Sequence, residues 1–227
     1  MSFYTLIFFA IFSSYCEAFK CPGLIRKTGQ WPMGEHEMVE IDGELDCDFN
    51  FRIPFGTVVK LETFFETNGS SLWYLDGAEP RKKIKNGYTV TYMPANRTMI
   101  LLKKSSDHFT KLFMRYEFES TDSYEKQSIP LGTAVNLNHA NSQYLSFTAP
   151  KKDRVVLTIH SENNEYNKDI YVYESDDLYG GYRGTLGGYL GNPIISYGRS
   201  LSLVNFYGTK NLNYIIAVSN SSLYDNS

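Results

Sequence analysis

Residues 52–61 read RIPFGTVVKL, and residues 128–137 read SIPLGTAVNL. In both stretches a proline and a glycine precede β-branched residues, which is typical of a turn that leads into a β-strand. A repeat of 76 residues would require the strand to continue in both copies, but KLETFF in the first is matched by the turn-forming NLNHAN in the second. We therefore interpret the stretches as strand openings at different places. The first opens the second strand of its domain, and the other opens the first strand of its domain.

Strand-like runs dominate the rest of the chain. They are rich in Val, Ile, Tyr, Phe and Thr, and clusters of Gly, Asn, Pro, Ser and Asp separate them. No segment sustains apolar spacing at the helical period over three turns. The pattern predicts an all-β fold of the antiparallel β-sandwich class. The clearest runs are TVVKLETFF (57–65), GYTVTYM (87–93), KLFMRYEFE (111–119), RVVLTIH (154–160), DIYVYE (169–174) and NYIIAVS (213–219).

A second register relates the two halves of the chain. Five segments align in the same order, with offsets of 98, 96, 97, 98 and 102 residues. Because the five segments keep the same order and their offsets vary by only a few residues, we predict two tandem sandwiches of roughly 100 residues each. The polar stretch 120–127 is the predicted boundary. The aligned segments are 32–34 with 130–132, 51–54 with 147–150, 58–59 with 155–156, 72–77 with 170–175, and 99–116 with 201–218.

The first 18 residues have the pattern of a signal peptide. An unbroken apolar run from Phe3 to Phe12 is followed by more polar residues and by Ala18, a small residue at which a signal peptidase could cut. A membrane anchor is the alternative, but the run is shorter than the roughly 20 apolar residues that a spanning helix needs. We expect a secreted, extracellular protein that begins at Phe19, with no integral membrane span in the mature chain.

Cysteines and glycosylation sequons agree with export. Cys16 would leave with the signal peptide, and the remaining pair, Cys21 and Cys47, indicates one disulfide in an oxidising compartment. Two buried free thiols are the alternative. Three Asn-x-Ser/Thr triplets predict glycosylation of a secreted protein. They begin at Asn68, Asn96 and Asn220.

The charge balance argues against a nucleic-acid partner. After loss of Glu17 from the 25 acidic residues, the mature chain has 24 Asp and Glu against 22 Lys and Arg. Near-neutral charge does not provide the basic surface that nucleic acids require. The one local basic run, residues 81–85, is interpreted as a solvated loop.

The sequence lacks the usual catalytic and metal-binding patterns. The four histidines have no metal-ligand spacing, and no G-x-S-x-G, H-E-x-x-H or phosphate-binding glycine motif occurs. Neighbouring carboxylates such as Asp176 and Asp177 are typical of solvated loops. We expect no catalytic residues, no metal and no cofactor.

One segment, residues 176–198, interleaves glycines with four tyrosines. Aromatic rings on adaptable glycine-rich backbone suit contact with sugars or protein partners. The candidate ligand-binding residues are Tyr179, Tyr182 and Tyr189. The alternative is an extended inter-strand loop whose tyrosines have no ligand.

The first half resembles a CUB domain. The residues that carry the resemblance are Cys21, the stretch CDFNFRIPFGTVVKL (47–61) and the stretch LWYLDG (72–77). A signal peptide before Cys-Pro, the absence of a second disulfide, and a degenerate second half resemble, more narrowly, the nematode CUB-like domain family. The resemblance implies jelly-roll-like sandwiches, with domain 1 at residues 19–122 and a degenerate domain 2 at residues 128–222.

In many CUB domains an acidic residue seven positions before the glycine of Asp-Gly helps to bind calcium. The matching position here is Ser70, which leaves Asp76 alone, and one carboxylate does not supply the six or more oxygens that Ca²⁺ takes. The resemblance therefore does not imply a calcium site in this chain.

The resemblance also implies a function. It is that of a secreted, non-enzymatic extracellular binding module in an innate immune or stress response. Its partner would be an extracellular protein or glycan, including one on a microbial surface. The alternatives are a structural extracellular glycoprotein and a carbohydrate-active secreted enzyme.

Overall fold

The computed structural model describes residues 20–78, 80–94, 96–136, 142–160, 169–189, 191–208 and 214–220. The predicted signal peptide, residues 1–18, lies outside these ranges. Two compact units divide between Glu119 and Ser120. Each unit consists of two β-sheets around its own hydrophobic core.

The described residues of the first unit form ten strands. One sheet has the order β1-β4-β9-β6-β7, and the other has the order β2-β10-β5-β8, with β3 also paired to β10. The strands are β1 (Gly23–Ile25), β2 (Gly29–Trp31), β3 (Val39–Glu40), β4 (Leu45–Ile53), β5 (Thr57–Thr67), β6 (Ser71–Leu75), β7 (Lys82–Ile84), β8 (Gly87–Met93), β9 (Asn96–Lys104) and β10 (Thr110–Ser120).

Strand β4 shows why these residues form a sandwich. Alternate side chains from Cys47 to Ile53 are buried, and the residues between them are exposed. One face of the strand therefore packs on the core and the other meets solvent. In the core, the Phe49 ring meets Trp31 edge-on at 5.0 Å, and the Phe51 ring meets Tyr116 edge-on at 5.4 Å.

In the second unit, nine strands lie within the described ranges. Its sheets have the orders β11-β13-β18-β15-β16 and β12-β19-β14-β17. A short 3-10 helix, Leu186–Tyr189, follows β16. The strands are β11 (Glu125–Ile129), β12 (Thr133–Asn136), β13 (Gln143–Thr148), β14 (Arg154–His160), β15 (Ile170–Glu174), β16 (Gly181–Thr185), β17 (Ile194–Ile195), β18 (Ser200–Asn205) and β19 (Tyr214–Asn220).

The all-β sandwich architecture is confirmed, and the two units share one strand order once β3 is set aside. One strand pair in each unit departs from the antiparallel expectation. Strand β1 runs parallel to β4, and β11 runs parallel to β13. In both units the chain leaves the sheet for the facing sheet between these two strands. It then re-enters the first sheet in the same direction, and such a crossover is what parallel neighbours require.

The two matching decapeptides form the same local structure. Each ends one strand and begins a strand of the facing sheet, from β4 to β5 in one unit and from β11 to β12 in the other. The turn glycines Gly56 and Gly132 have φ of 68° and 77°, a left-handed conformation that glycine adopts without steric cost. The predicted strand numbers were wrong, because β5 is the fifth strand of its unit and β12 is the second of its unit.

Candidate functional site

The predicted disulfide is confirmed. Cys21 and Cys47 are bonded, with their Cα atoms 5.4 Å apart and a sequence separation of 26. Cys47 lies in β4 on the core side and is fully buried. The bond therefore attaches the segment before β1 to β4, the fourth strand of the unit.

The first sequon lies in the turn between β5 and β6, where Asn68 is exposed. The turn is held by Thr67, whose Oγ1 accepts hydrogen bonds from the backbone N–H groups of Gly69 and Ser70 at 3.1 and 2.8 Å. The Ser70 side chain is buried, and its Oγ lies 2.5 Å from Oγ1 of Thr110. Asn96 begins β9 and Asn220 ends β19, but their side chains lie outside the described parts of the structure.

The glycine-rich segment 176–198 is more regular than the sequence predicts. It contains β16, the 3-10 helix and β17, so an extended loop was the wrong description. Strand β16 pairs with β15 through a bulge between Val172 and Tyr173. Its backbone is therefore committed to a sheet, and the segment is not a flexible frame.

The structure does not bring the three candidate tyrosines together. Tyr179 is half exposed, and its hydroxyl donates a hydrogen bond to the Asp122 carboxylate. Tyr182 is half-buried on the outer side of the sheet, 5.8 Å from Tyr171 and 6.0 Å from Tyr173 between ring centres. Tyr189 instead packs against the core. Ligand binding by these three residues stays a prediction, and any such ligand would meet them on different surfaces.

The hydrogen bond between Tyr179 and Asp122 favours the neutral phenol and the ionised carboxylate. It raises the pKa of the Tyr179 hydroxyl. The same bond, with a smaller contribution from Ser120, lowers the pKa of Asp122. At neutral pH Tyr179 is therefore a donor to a charged acceptor, and its ring edge, not its hydroxyl, is available to a ligand.

An aromatic ring stacked on an ion-paired arginine lies at the end of the same segment. The Arg183 guanidinium lies 4.0 Å from the ring centre of Tyr197, which is 73% exposed. Arg183 is held in turn by the Glu174 carboxylate at 2.9 Å and by the Ile195 carbonyl at 2.6 Å. Glu174 also accepts the Gly198 N–H at 2.8 Å. Tyr197 therefore presents one ring face to solvent while a cation fixes the other.

Sequence reasoning included Tyr197 in the segment but did not select it, and it missed Arg183 and Glu174. The only available signal was the identity of these residues, since an arginine among glycines and tyrosines suits stacking on an aromatic ring. Their pairing depends on β15, β16 and β17 coming together, which sequence spacing does not reveal.

The basic run is not a solvated loop. Residues 82–84 form β7 at the edge of the first sheet, with Ile84 buried on the core side. The Arg81 guanidinium lies 4.8 Å from the ring centre of Trp73 on the outer face. This face is therefore a sheet surface on which aromatic and basic groups meet.

The two residues at the calcium-binding positions of CUB domains, Ser70 and Asp76, form hydrogen bonds within the protein. Asp76 is buried and accepts the Ala78 N–H at 3.0 Å, and Ser70 is bonded to Thr110. Across the described ranges, no group of three or more His, Cys, Asp or Glu is arranged to hold a metal ion. His139 lies outside those ranges. The same ranges include no helix that is both long and apolar enough to cross a membrane.

Comparison with known proteins supports the family resemblance. Residues 18–122 match the family model described as CUB-like domain, without support for the narrower nematode family. Among curated proteins, no sequence matches this chain.

Solved structures similar to the chain include CUB1-EGF-CUB2 domains from two animals. Those of human MASP-1/3 are 10% identical, with 81% of this chain and 100% of that chain covered and a TM-score of 0.30. Those of rat MASP-1 are 11% identical, with 85% and 98% covered and a TM-score of 0.29. The extracellular region of zebrafish Gpr126/Adgrg6 is 9% identical, with 91% and 38% covered and a TM-score of 0.35. The family similarity of this chain is therefore the match over residues 18–122, and CUB-like domains are extracellular protein-interaction modules.

Proposed function

We propose that the protein is a secreted, non-enzymatic binding module that acts in an innate immune or stress response. Its partner is an extracellular protein or glycan, including one on a microbial surface. The observation that carries the proposal is the CUB-like match over residues 18–122, since domains of this family are generally non-enzymatic binding modules. The sequons and the apolar leader-like segment support export.

We infer that a stacked pair of side chains in the second unit contacts the ligand. Tyr197 and Arg183 form a stacked pair in which the tyrosine face is open and the arginine is fixed by Glu174. A preorganised aromatic ring loses little conformational entropy on binding and can stack on a sugar ring or an apolar side chain. We propose that Tyr197 is the main contact residue and that Tyr179 makes a second contact on a different part of the segment.

Point substitution tests this better than deletion of the segment. Residues 179–191 include β16 and the fully buried Leu186, so removing them would take away part of the sheet and of the core. Tyr197→Ala instead removes an exposed ring and leaves the buried Ser196 bonds to Val155 intact.

The experiment measures binding of the secreted, glycosylated protein to an array of immobilised glycans and to fixed bacterial cells. On the surfaces bound by the native protein, we expect Tyr197→Ala to weaken binding about tenfold or more, as loss of a contact aromatic does. Phe55→Ala removes a similarly exposed ring, 59% exposed, in the first unit and is the matched control. Equal binding by Tyr197→Ala and the native protein would exclude this contact site.

Induction tests the biological part separately. Transcript levels should rise after bacterial exposure or stress. Absence of both induction and binding to any of these surfaces would contradict the defence role.

A further inference from the structure

The outer face of the first sheet carries a row of side chains that the registers define. Asp48, Leu101, Trp73 and Lys83 lie side by side across β4, β9, β6 and β7. Their sequence neighbours Phe49, Ile100, Leu72 and Ile84 belong to the core, so this row points away from it. Asp48 and Lys83 are exposed, and Leu101 and Trp73 are half-buried.

The equivalent face of the second unit is covered by its own chain. The corresponding row is Tyr144, Val204, Tyr171 and Thr185, and all four residues are buried. Next to this row, the Ser146 and Ser202 hydroxyls donate to the backbone carbonyls of Asp176 and Ser175 at 3.0 and 2.8 Å. The segment after β15 thus packs onto this face in the second unit. In the first unit, the segment after β6 contributes Arg81 over Trp73 and leaves the face open.

Apolar side chains form the centre of the open face. Met99 and Leu75 lie in the row next to Leu101 and Trp73, and both are half-buried. Leu24, paired with Asn50 at the β1 edge, is 52% exposed. An apolar centre with polar margins is the usual composition of a protein interface.

Charge is distributed asymmetrically across the face. The β4 side carries Asp46 and Asp48 in and beside the row, with Arg52 at the far end of the strand, and the β7 side carries Arg81 and Lys83. Asp46 is paired with Lys103 at 3.3 Å, whereas no ion pair within the described residues involves Asp48. Asp48 lies in an open groove of about 660 Å³ between Leu101 and the disulfide at Cys21. The acidic side therefore has both an uncompensated carboxylate and room for a basic side chain.

We propose that this face is the docking surface for a second copy of the same chain. Neighbouring strands are about 4.8 Å apart, so the acidic and basic ends of the row are separated by three such spacings. A two-fold axis through the middle of the row reverses it, which places Asp48 of each copy opposite Lys83 of the other. The same operation brings the apolar centres together. A surface that is acidic on one side and basic on the other is complementary to itself under this symmetry.

Charge reversal on the full-length secreted protein tests the proposal. Asp48→Lys alone places two lysines opposite each other at both ends of the interface, and Lys83→Asp alone places two aspartates there. We expect each variant to weaken self-association at least about tenfold, because like charges across an interface are strongly unfavourable. Equilibrium sedimentation gives the dimer dissociation constant. Glu66→Lys, an exposed reversal on β5 in the other sheet, is the matched control and should associate like the native protein.

Mixing the variants gives the decisive result. An equimolar mixture of Asp48→Lys and Lys83→Asp should form heterodimers, since each copy then offers the charge that the other needs at both ends. The double variant in one chain should associate with itself again. A native protein that stays monomeric at about 100 µM, single variants that associate normally, or a mixture that fails to associate would each overturn the proposal.

Discussion

Lys152 has a left-handed backbone conformation, and the equivalent residue of the first unit is a glycine. The corner from β13 to β14 contains Pro150 and Lys152, and the equivalent corner from β4 to β5 contains Pro54 and Gly56. Lys152 has φ of 74° and Gly56 has φ of 68°. The Asp153 N–H donates to the Pro150 carbonyl at 3.1 Å and closes the turn. A side chain at this turn position is strained, because the left-handed region brings Cβ close to the backbone.

We expect Lys152→Gly to stabilise the second unit by about 1 kcal/mol, which is the approximate cost of holding a non-glycine residue in this region. Chemical denaturation of the full chain measures the free energy of unfolding. Lys151→Gly is the control, because Lys151 has no positive φ and glycine there only increases the entropy of the unfolded chain. If the free energy of unfolding of Lys152→Gly is equal to or lower than that of the native protein, Lys152 is not strained.

For individual residues, the sequence was least informative about which side chains are exposed to solvent. The spacing of glycines and tyrosines predicted a set of exposed rings, but Tyr182 lies against other tyrosines and Tyr189 against the core. Local composition does not specify which face of a strand meets the core when both faces are covered. The disulfide was predictable because only two cysteines remain after the leader-like segment.

At the scale of strands, the sequence predicted which segments form a sheet better than it predicted their register. An offset of 96 residues correctly relates Phe51 to Phe147, since both face a core. The offset of 102 pairs Leu101 with Leu203, but Leu101 faces outward and Leu203 faces the core. A shift of one residue exchanges the two faces of a strand. Residues 201–204 have hydrophobic side chains on both faces of the strand. Their sequence therefore aligns with the first unit equally well in either of two registers.

The outer face of β5 contains a charged cluster with pH-dependent stability. The Glu62 carboxylate is mostly buried, accepts a hydrogen bond from Lys60 at 3.2 Å and is paired with Arg115 on β10. Burial acts to raise the pKa of Glu62, but the bonds from Lys60 and Arg115 together lower it below its ordinary value. The unfolded state therefore binds more protons than the folded state does. The contribution to stability is fully present above the ordinary glutamate pKa and is lost as the pH falls through the lower folded pKa.

We expect Glu62→Gln to destabilise the first unit by about 1–2 kcal/mol at neutral pH, because it breaks charge-assisted hydrogen bonds at a buried position. Below about pH 4.5, the ordinary value for glutamate, the difference from the native protein should shrink. Denaturant titrations at pH 7 and pH 3 measure both effects. Glu66→Gln changes an exposed glutamate on the same strand and should alter neither value appreciably. A difference that persists unchanged at pH 3 would exclude the ion-pair explanation.

The whole molecule combines two units with the same strand order but different covalent reinforcement. All three cysteines precede residue 48, so residues 120–227 contain none. The structural boundary after Glu119 lies beside the polar stretch 120–127 predicted from sequence. We propose that both units are CUB-like modules, although the family match covers residues 18–122 alone. If the units unfold separately, a reductant affects one of them.

Calorimetry of the full chain with and without reductant tests this. The Cys21–Cys47 bond joins residues with a sequence separation of 26, so reduction should destabilise the first unit by about 3 kcal/mol in the chain-entropy account. One thermal transition should move to lower temperature while a second remains in place. A Cys21→Ser, Cys47→Ser variant should reproduce the shift without reductant. A single transition that moves as a whole would show that the chain unfolds as one unit.

The turn of residues 67–70 sets an order of events during synthesis of the chain. A glycosylating enzyme recognises the whole Asn-x-Ser triplet, and the folded turn exposes Asn68 but buries the Ser70 hydroxyl against Thr110. A glycan on Asn68 must then be added before the turn between β5 and β6 packs against Thr110. We expect the folded, sugar-free protein to be a poor acceptor and the unfolded chain a good one. The occupancy of Asn68 would therefore record how quickly this turn forms relative to the passage of the chain through the secretory machinery.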